Sequence, residues 1–159
     1  LILGIDPGLE KTGYGLVRID NGKETLVEGG VVRSRLKMPI EDRLVSIFKG
    51  ISEVIEEFKP SVIAVEEIYI HKVHPKTALI MGYVRGIILM VAGLNSIPVV
   101  SYPATTIKKF LTGNGRASKQ QVQRMIMERL RINKVPSPDD VSDALATALC
   151  HSCVISLNR

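Results

Sequence analysis

Four acidic residues stand where apolar segments end or helical patterns begin. Asp6 follows the run Leu1–Ile5, and Glu66, with Glu67 behind it, follows Val62–Val65. A carboxylate at the edge of a buried segment is costly unless something pairs with it. Asp140 and Asp143 are three apart in a segment of helical pattern, which puts both on one face. Carboxylates gathered at one place repel one another and retain protons unless a cation neutralises them. An all-oxygen donor set suits Mg²⁺ or Mn²⁺. Two such ions about 4 Å apart can activate a water and stabilise the leaving oxygen in phosphodiester hydrolysis. That chemistry needs no Ser, Cys or His nucleophile, and none stands out. Each acid also has a plain structural reading. Asp6 precedes Pro7-Gly8 and suits a turn, and Asp140 could complete a capping box with Ser137. Asp139 favours a helix N-terminus, and Glu66 or Glu67 could mark a strand leaving the core. Only the convergence of the set would specify chemistry.

The elements that must position these acids follow from periodicity. Residues 1–6 are a continuous apolar run, read as a buried strand, and residues 7–13 are turn-like. Residues 14–19 form a second strand, Asp20-Asn21-Gly22 signals a hairpin, and residues 25–34 form a third strand. From Ile40 to Phe58 apolar residues recur at three- and four-residue steps, an amphipathic helix that Lys59-Pro60 ends. Residues 61–67 form another buried strand. A second helix, 76–93, starts after Pro75 and is apolar almost all round in its second half, with Gly82 and Gly86 on one face. Such a helix must be buried, either at an oligomer interface or in a central core. Residues 97–102 are the fifth strand, and a short helix runs from Pro103 to about Leu111. Ser118 and Gln121 form a capping box that opens a helix reaching about Arg131. Ser137-Pro138 opens the last helix, with a stripe from Ala144 to Ile155. The order βββαβαβααα predicts an α/β fold, a mixed five-stranded sheet with helices on both faces.

Charge points toward a polyanionic partner. Residues 103–134 hold eight Lys or Arg against the single acid Glu128, so this segment carries more positive charge than the whole chain at +5. A basic patch attracts nucleic acid through counterion release, although a solvated Lys/Arg face is its common alternative. The 159 residues fit one domain, 1–159, able to bury a core without disulfides. With 4% aromatics and no Trp, that core must be aliphatic. The uncharged run Gly86–Leu94 is far short of a bilayer span. Asp6 comes too early for a secretory segment, and two Cys with no leader suggest a reducing cytoplasm. Without an initiating Met, at least one residue is expected to precede Leu1. Cys150 and Cys153, with His151 between them, make an incomplete zinc set late in a helix and read as small packed residues. His71 and His74 read as solvent-exposed loop residues.

Five stretches make the chain resemble the RuvC family of bacterial Holliday junction resolvases. They are LGIDPGLEKTGYG (3–15), VEEIY (65–69), GYVRG (82–86), GNGRASKQQV (113–122) and DDVSDALATAL (139–149), in matching order and spacing over nearly the whole chain. The resemblance implies a ribonuclease H-like fold and a homodimer that resolves four-way junctions by paired symmetric nicks in recombination and DNA repair. It implies water activated by a divalent metal, leaving 5′-phosphate and 3′-hydroxyl ends. The family's metal-binding acids fall on Asp6, Glu66, Asp140 and Asp143, with Mg²⁺, two ions per site, as the expected cofactor and Mn²⁺ as a substitute. Some members carry His at the place of Asp140, and Gln-Ala often precedes the Arg-Gly of GYVRG. Tyr69 matches a base-contacting aromatic, and Lys108 and Lys119 match DNA-binding positions. Arg116, Lys109 and Arg124 are further candidates for phosphate contact. Lys119 opens a helix, where a cation opposes the macrodipole and a bound phosphate would suit both. The resemblance also implies a branch-migration complex, RuvA and RuvB, as partner, and the bacterial cytoplasm with no membrane. Three other readings compete: a non-catalytic junction-binding protein, a ribonuclease acting on RNA–DNA hybrids, and an ATP-binding phosphotransferase of the actin and sugar-kinase type. The last also opens on Gly-Ile-Asp-x-Gly, but this chain is short for two lobes.

Overall fold

A computed structural model describes residues 1–67 and 74–157. The apolar runs become strands β1 (Ile2–Asp6), β2 (Lys11–Asp20), β3 (Lys23–Arg33), β4 (Val62–Glu66) and β5 (Val99–Tyr102). They form one sheet in the order β3-β2-β1-β4-β5. The first three pair antiparallel, while β4 runs parallel to both β1 and β5. The β2–β3 hairpin turns at Asn21 and Gly22, both at positive φ, as a tight two-residue turn requires. β2 begins at Lys11, so the expected turn 7–13 is shorter. Gly13 and its neighbours pair with β1 instead of looping away.

The helices are α1 (Ile40–Phe58), α2 (Pro75–Leu94), α3 (Ala104–Thr112), α4 (Lys119–Leu130) and α5 (Asp139–Leu157). The expected capping box opens α4: Ser118 Oγ accepts from the Gln121 N–H, and the Ser118 N–H donates to Gln121 Oε1 at 2.8 Å. The sheet's pleat sorts the core into two layers. Leu3, Ile5, Ile63 and Val65 pack against Ile47, Ile51 and Ile55 of α1 and Val84, Ile88 and Val91 of α2. Ile2, Val17, Val62 and Ala64 face α3, α4 and α5 through residues such as Ile107, Ile126, Leu145 and Leu149. This is the mixed five-stranded α/β sheet with helices on both faces that the pattern predicted.

Helix α2 departs from expectation. An 18-residue window of it has mean hydropathy 1.8, enough by length and composition to cross a membrane, yet 22% of that window is buried within the chain. One side, Val84, Ile88, Val91 and Ala92, packs on the sheet layer. The opposite side leaves Leu79, Tyr83, Met90 and Leu94 43–70% exposed. The expectation that the whole helix is buried therefore fails within a single chain. Arg85, midway along α2, donates to Ser101 Oγ at 2.6 Å and reaches the Glu66 carbonyl at 3.4 Å, which ties the helix to β4 and β5.

Candidate active site

The strand alternation decides where the first two acids point. Ile2, Gly4 and Asp6 share one face of β1; Val62, Ala64 and Glu66 share the same face of β4. The register Gly4↔Ala64, Ile5↔Val65 carries both acids to adjacent strand ends. That face is covered by α5, which lies unusually close to the sheet. A Cβ on Gly4 would stand 2.0 Å from the Ala144 carbonyl oxygen, and one on Gly13 would stand 2.1 Å from that of Asp140. Gly13 is the β2 partner of Asp6. The absence of two side chains thus lets Asp140 sit over the neighbour of Asp6, with Asp143 one turn further on.

The electrostatics record this convergence. Burial first, then the negative charges of Asp143, Glu66 and Asp140, push the Asp6 carboxyl up to about 7. Burial and Asp143 also raise Glu66, against the opposing pull of Lys108 and Lys119. Desolvation and like-charge repulsion both disfavour the ionised form. Asp143 instead takes the Lys119 ammonium, Nζ to Oδ2 at 3.0 Å, and Asp139 shares that lysine at 3.1 Å. These pairs raise Lys119 against the desolvation that would lower it. Beside them opens a cleft of about 270 Å³ walled by Glu66, Lys108, Lys119 and Asp143, with Ile107 and Val122 as its apolar side.

Among the described residues no three His, Cys, Asp or Glu side chains close around a single point as a ready ligand set. The acids are near enough to shift one another but remain apart, as like charges must, and one is drawn toward a lysine. The donor set still fits a hard divalent cation: oxygen ligands only, with a partly buried carboxyl that ionises reluctantly without positive charge.

The remaining candidates fall differently. Lys108 and Lys119 line the cleft, whereas Arg116 is exposed in the turn before α4, where its backbone N–H donates to Asn114 Oδ1 at 2.9 Å. Tyr69 and His71 lie outside the described residues. His74 caps α2, its Nδ1 accepting from the Lys76 N–H at 3.4 Å. Cys150 is buried, its thiol pushed up to about 12 by burial. Cys153 receives Arg129 Nη1 at 2.7 Å, and His151 Nδ1 bonds the Tyr102 hydroxyl at 2.7 Å. Among the described residues none of the three joins a cluster of metal-ligating side chains. Sequence reasoning missed Arg85 and the lysine-holding role of Asp139. A lone Arg inside an apolar helix is a usable signal for the first, while nothing local announces the second.

The family model described as "Crossover junction endodeoxyribonuclease RuvC" matches residues 2–151. The RuvC of Moorella thermoacetica is 43% identical over 152 residues, covering 96% of this chain and 90% of that protein. The RuvC of Desulforamulus reducens is 39% identical, covering 96% and 93%. Among solved structures, Thermus thermophilus RuvC in complex with a Holliday junction substrate superposes with a TM-score of 0.93 at 32% identity, covering 99% of this chain and 95% of that one. Fowlpox virus resolvase, at 15% identity and a TM-score of 0.60, shares the fold. With a family model matched over residues 2–151 and relatives about 40% identical over nearly its whole length, the chain belongs to the RuvC family of crossover junction endodeoxyribonucleases.

Proposed function

We propose that this chain is a structure-selective DNA endonuclease that resolves four-way junctions by paired nicks, and that Asp6, Glu66, Asp140 and Asp143 form its catalytic, metal-holding centre. The observation that carries the site assignment is geometric: Asp6 and Glu66 end adjacent parallel strands, and α5 brings Asp140 over Gly13, the β2 partner of Asp6. Burial and the three neighbouring acids push the Asp6 carboxyl up to about 7 in consequence. A cluster of this kind exists at the expense of stability unless a cation balances it.

Mg²⁺ is the ion best matched to these ligands, with Mn²⁺ as a substitute, held in a pair by the four carboxylates. When bound, such ions supply an activated water and charge stabilisation at the leaving oxygen. The chain's own residues do the rest. Asp6 and Glu66, on adjacent strand ends, give the site a rigid floor; Asp140 and Asp143 close it from α5. Lys108 and Lys119, both lining the cleft, offer positive charge to DNA phosphates near the cut. Tyr69 follows Glu66 by three residues and is assigned to stacking on a junction base. Arg116 is assigned to a backbone phosphate. The products carry 5′-phosphate and 3′-hydroxyl ends.

The exposed stripe Leu79, Tyr83, Met90 and Leu94 on α2 is assigned to a second copy of this chain. A twofold dimer would present two identical sites to a nearly twofold substrate. A branch-migration complex, RuvA and RuvB, is the proposed partner assembly, working in the bacterial cytoplasm.

Cleavage of a synthetic four-way junction by wild type and Asp6→Asn, in Mg²⁺ or Ca²⁺, tests the assignment. Asp6→Asn should bind the junction as wild type does and lose cutting by about a thousandfold or more, the scale of removing a central electrostatic group. Undiminished cutting would remove Asp6 from the mechanism.

A further inference from the structure

Lys119 is held by two acids that differ in kind. Asp143 lines the cleft and is electrostatically coupled to Asp6 and Glu66. Asp139 lies outside the cleft's walls with a side chain 69% exposed. Both of its carboxylate oxygens are engaged by a single face of α4. Oδ2 takes Lys119 Nζ at 3.1 Å, and Oδ1 accepts from Gln123 Nε2 at 3.4 Å. Lys119 and Gln123 are four apart, which stacks them on one helical face. Lys119 is also the first residue of α4, where the helix dipole disfavours a cation, so it depends on acids from another element to stay put.

We propose that Asp139 is a positioning residue, which keeps the Lys119 ammonium at the mouth of the cleft when Asp143 turns to a divalent ion. The inference rests on the reading of Asp143 as a metal ligand. With Asp143 alone, an arriving ion would strip the lysine of its partner and leave a long side chain free to swing into solvent. With Asp139 the lysine keeps one anchor, already oriented by Gln123, and stays beside Lys108 where a phosphate would enter. The pair is solvent-exposed, so its effect is bounded: such contacts shift an equilibrium by no more than about fivefold.

The test is a double-variant cycle with an independent readout of the lysine. Single-turnover junction cleavage at saturating Mg²⁺ is compared for wild type, Asp139→Asn, Lys119→Met and the pair. Acetylation of Lys119 by acetic anhydride is followed by mass spectrometry in Mg²⁺ and in EDTA. Asp139→Asn should slow cleavage about threefold where Lys119 is present and change nothing where it is Met. Mg²⁺ should raise Lys119 acetylation about threefold in Asp139→Asn and leave it nearly constant in wild type. Equal slowing in both lysine backgrounds, or acetylation that responds to Mg²⁺ identically with and without Asp139, overturns the proposal. Failure of wild type to cut in Mg²⁺ would instead fell the proposed function, and the acetylation arm would still decide whether Asp139 holds the lysine.

Discussion

Asp6 shows how a single residue can be destabilising in isolation and useful in context. Its folded pKa near 7 lies well above the ordinary 3.8. Between those values the folded chain binds the proton and the unfolded chain does not, so stability from this residue is full below about pH 4. It falls as pH rises through that window and stays low above 7. Each unit is worth about 1.4 kcal/mol, and screening at a strand end brings the contribution to about 2 kcal/mol. In EDTA at pH 7.5, Asp6→Asn is therefore expected to melt about 5 °C above wild type. At pH 4 the two should coincide, and Mg²⁺ should stabilise wild type only. Equal melting curves across that range would mean the carboxyl is not strained by its neighbours.

Among the elements, α5 does the decisive positioning. Its first turns rest on backbone at Gly13 and Gly4, where a Cβ would meet a carbonyl oxygen at 2.1 Å and 2.0 Å. Neither carbonyl is the end of a flexible side chain, so the helix itself would have to move. Gly13→Ala should destabilise the chain by about 2 kcal/mol, the scale of overpacking. It should also reduce cutting far more than junction binding, because it displaces Asp140 and Asp143 relative to Asp6. Thermal melting with cleavage and binding assays would check both halves. A variant that loses stability yet cuts normally would show that the α5 acids tolerate displacement.

The whole molecule is the scale at which α2 makes sense. Its sheet-facing side completes one core layer, while Leu79, Tyr83, Met90 and Leu94 form an apolar stripe on the other side. Contiguous apolar surface of this kind marks an interaction site. The dimer proposed on this stripe should dissociate in Met90→Glu, read by sedimentation at micromolar concentration, while the melting of the isolated chain stays within about 1 kcal/mol, since the residue is a surface one there. In junction cleavage the monomer should yield uncoupled single nicks. An unchanged sedimentation coefficient would remove α2 from the dimer interface.

Local pattern alone determined the element order. Apolar runs specified the strands, Asn21-Gly22 the hairpin, the 40–58 periodicity α1, and Ser118 with Gln121 the start of α4; these are short-range effects written within a few residues. The candidate acids were legible as residues out of place, and resemblance to a family grouped them. Their convergence was decided only by tertiary structure. Whether Asp6 and Glu66 share a face depends on the parallel β1–β4 register. How near Asp140 comes depends on an α5–sheet approach that two glycines permit. The same holds for Asp139 and Arg85, whose partners lie 20 and 16 residues away at Lys119 and Ser101. Periodicity reports which side of an element is buried, but it carries no information on which distant charge the fold will bring against it.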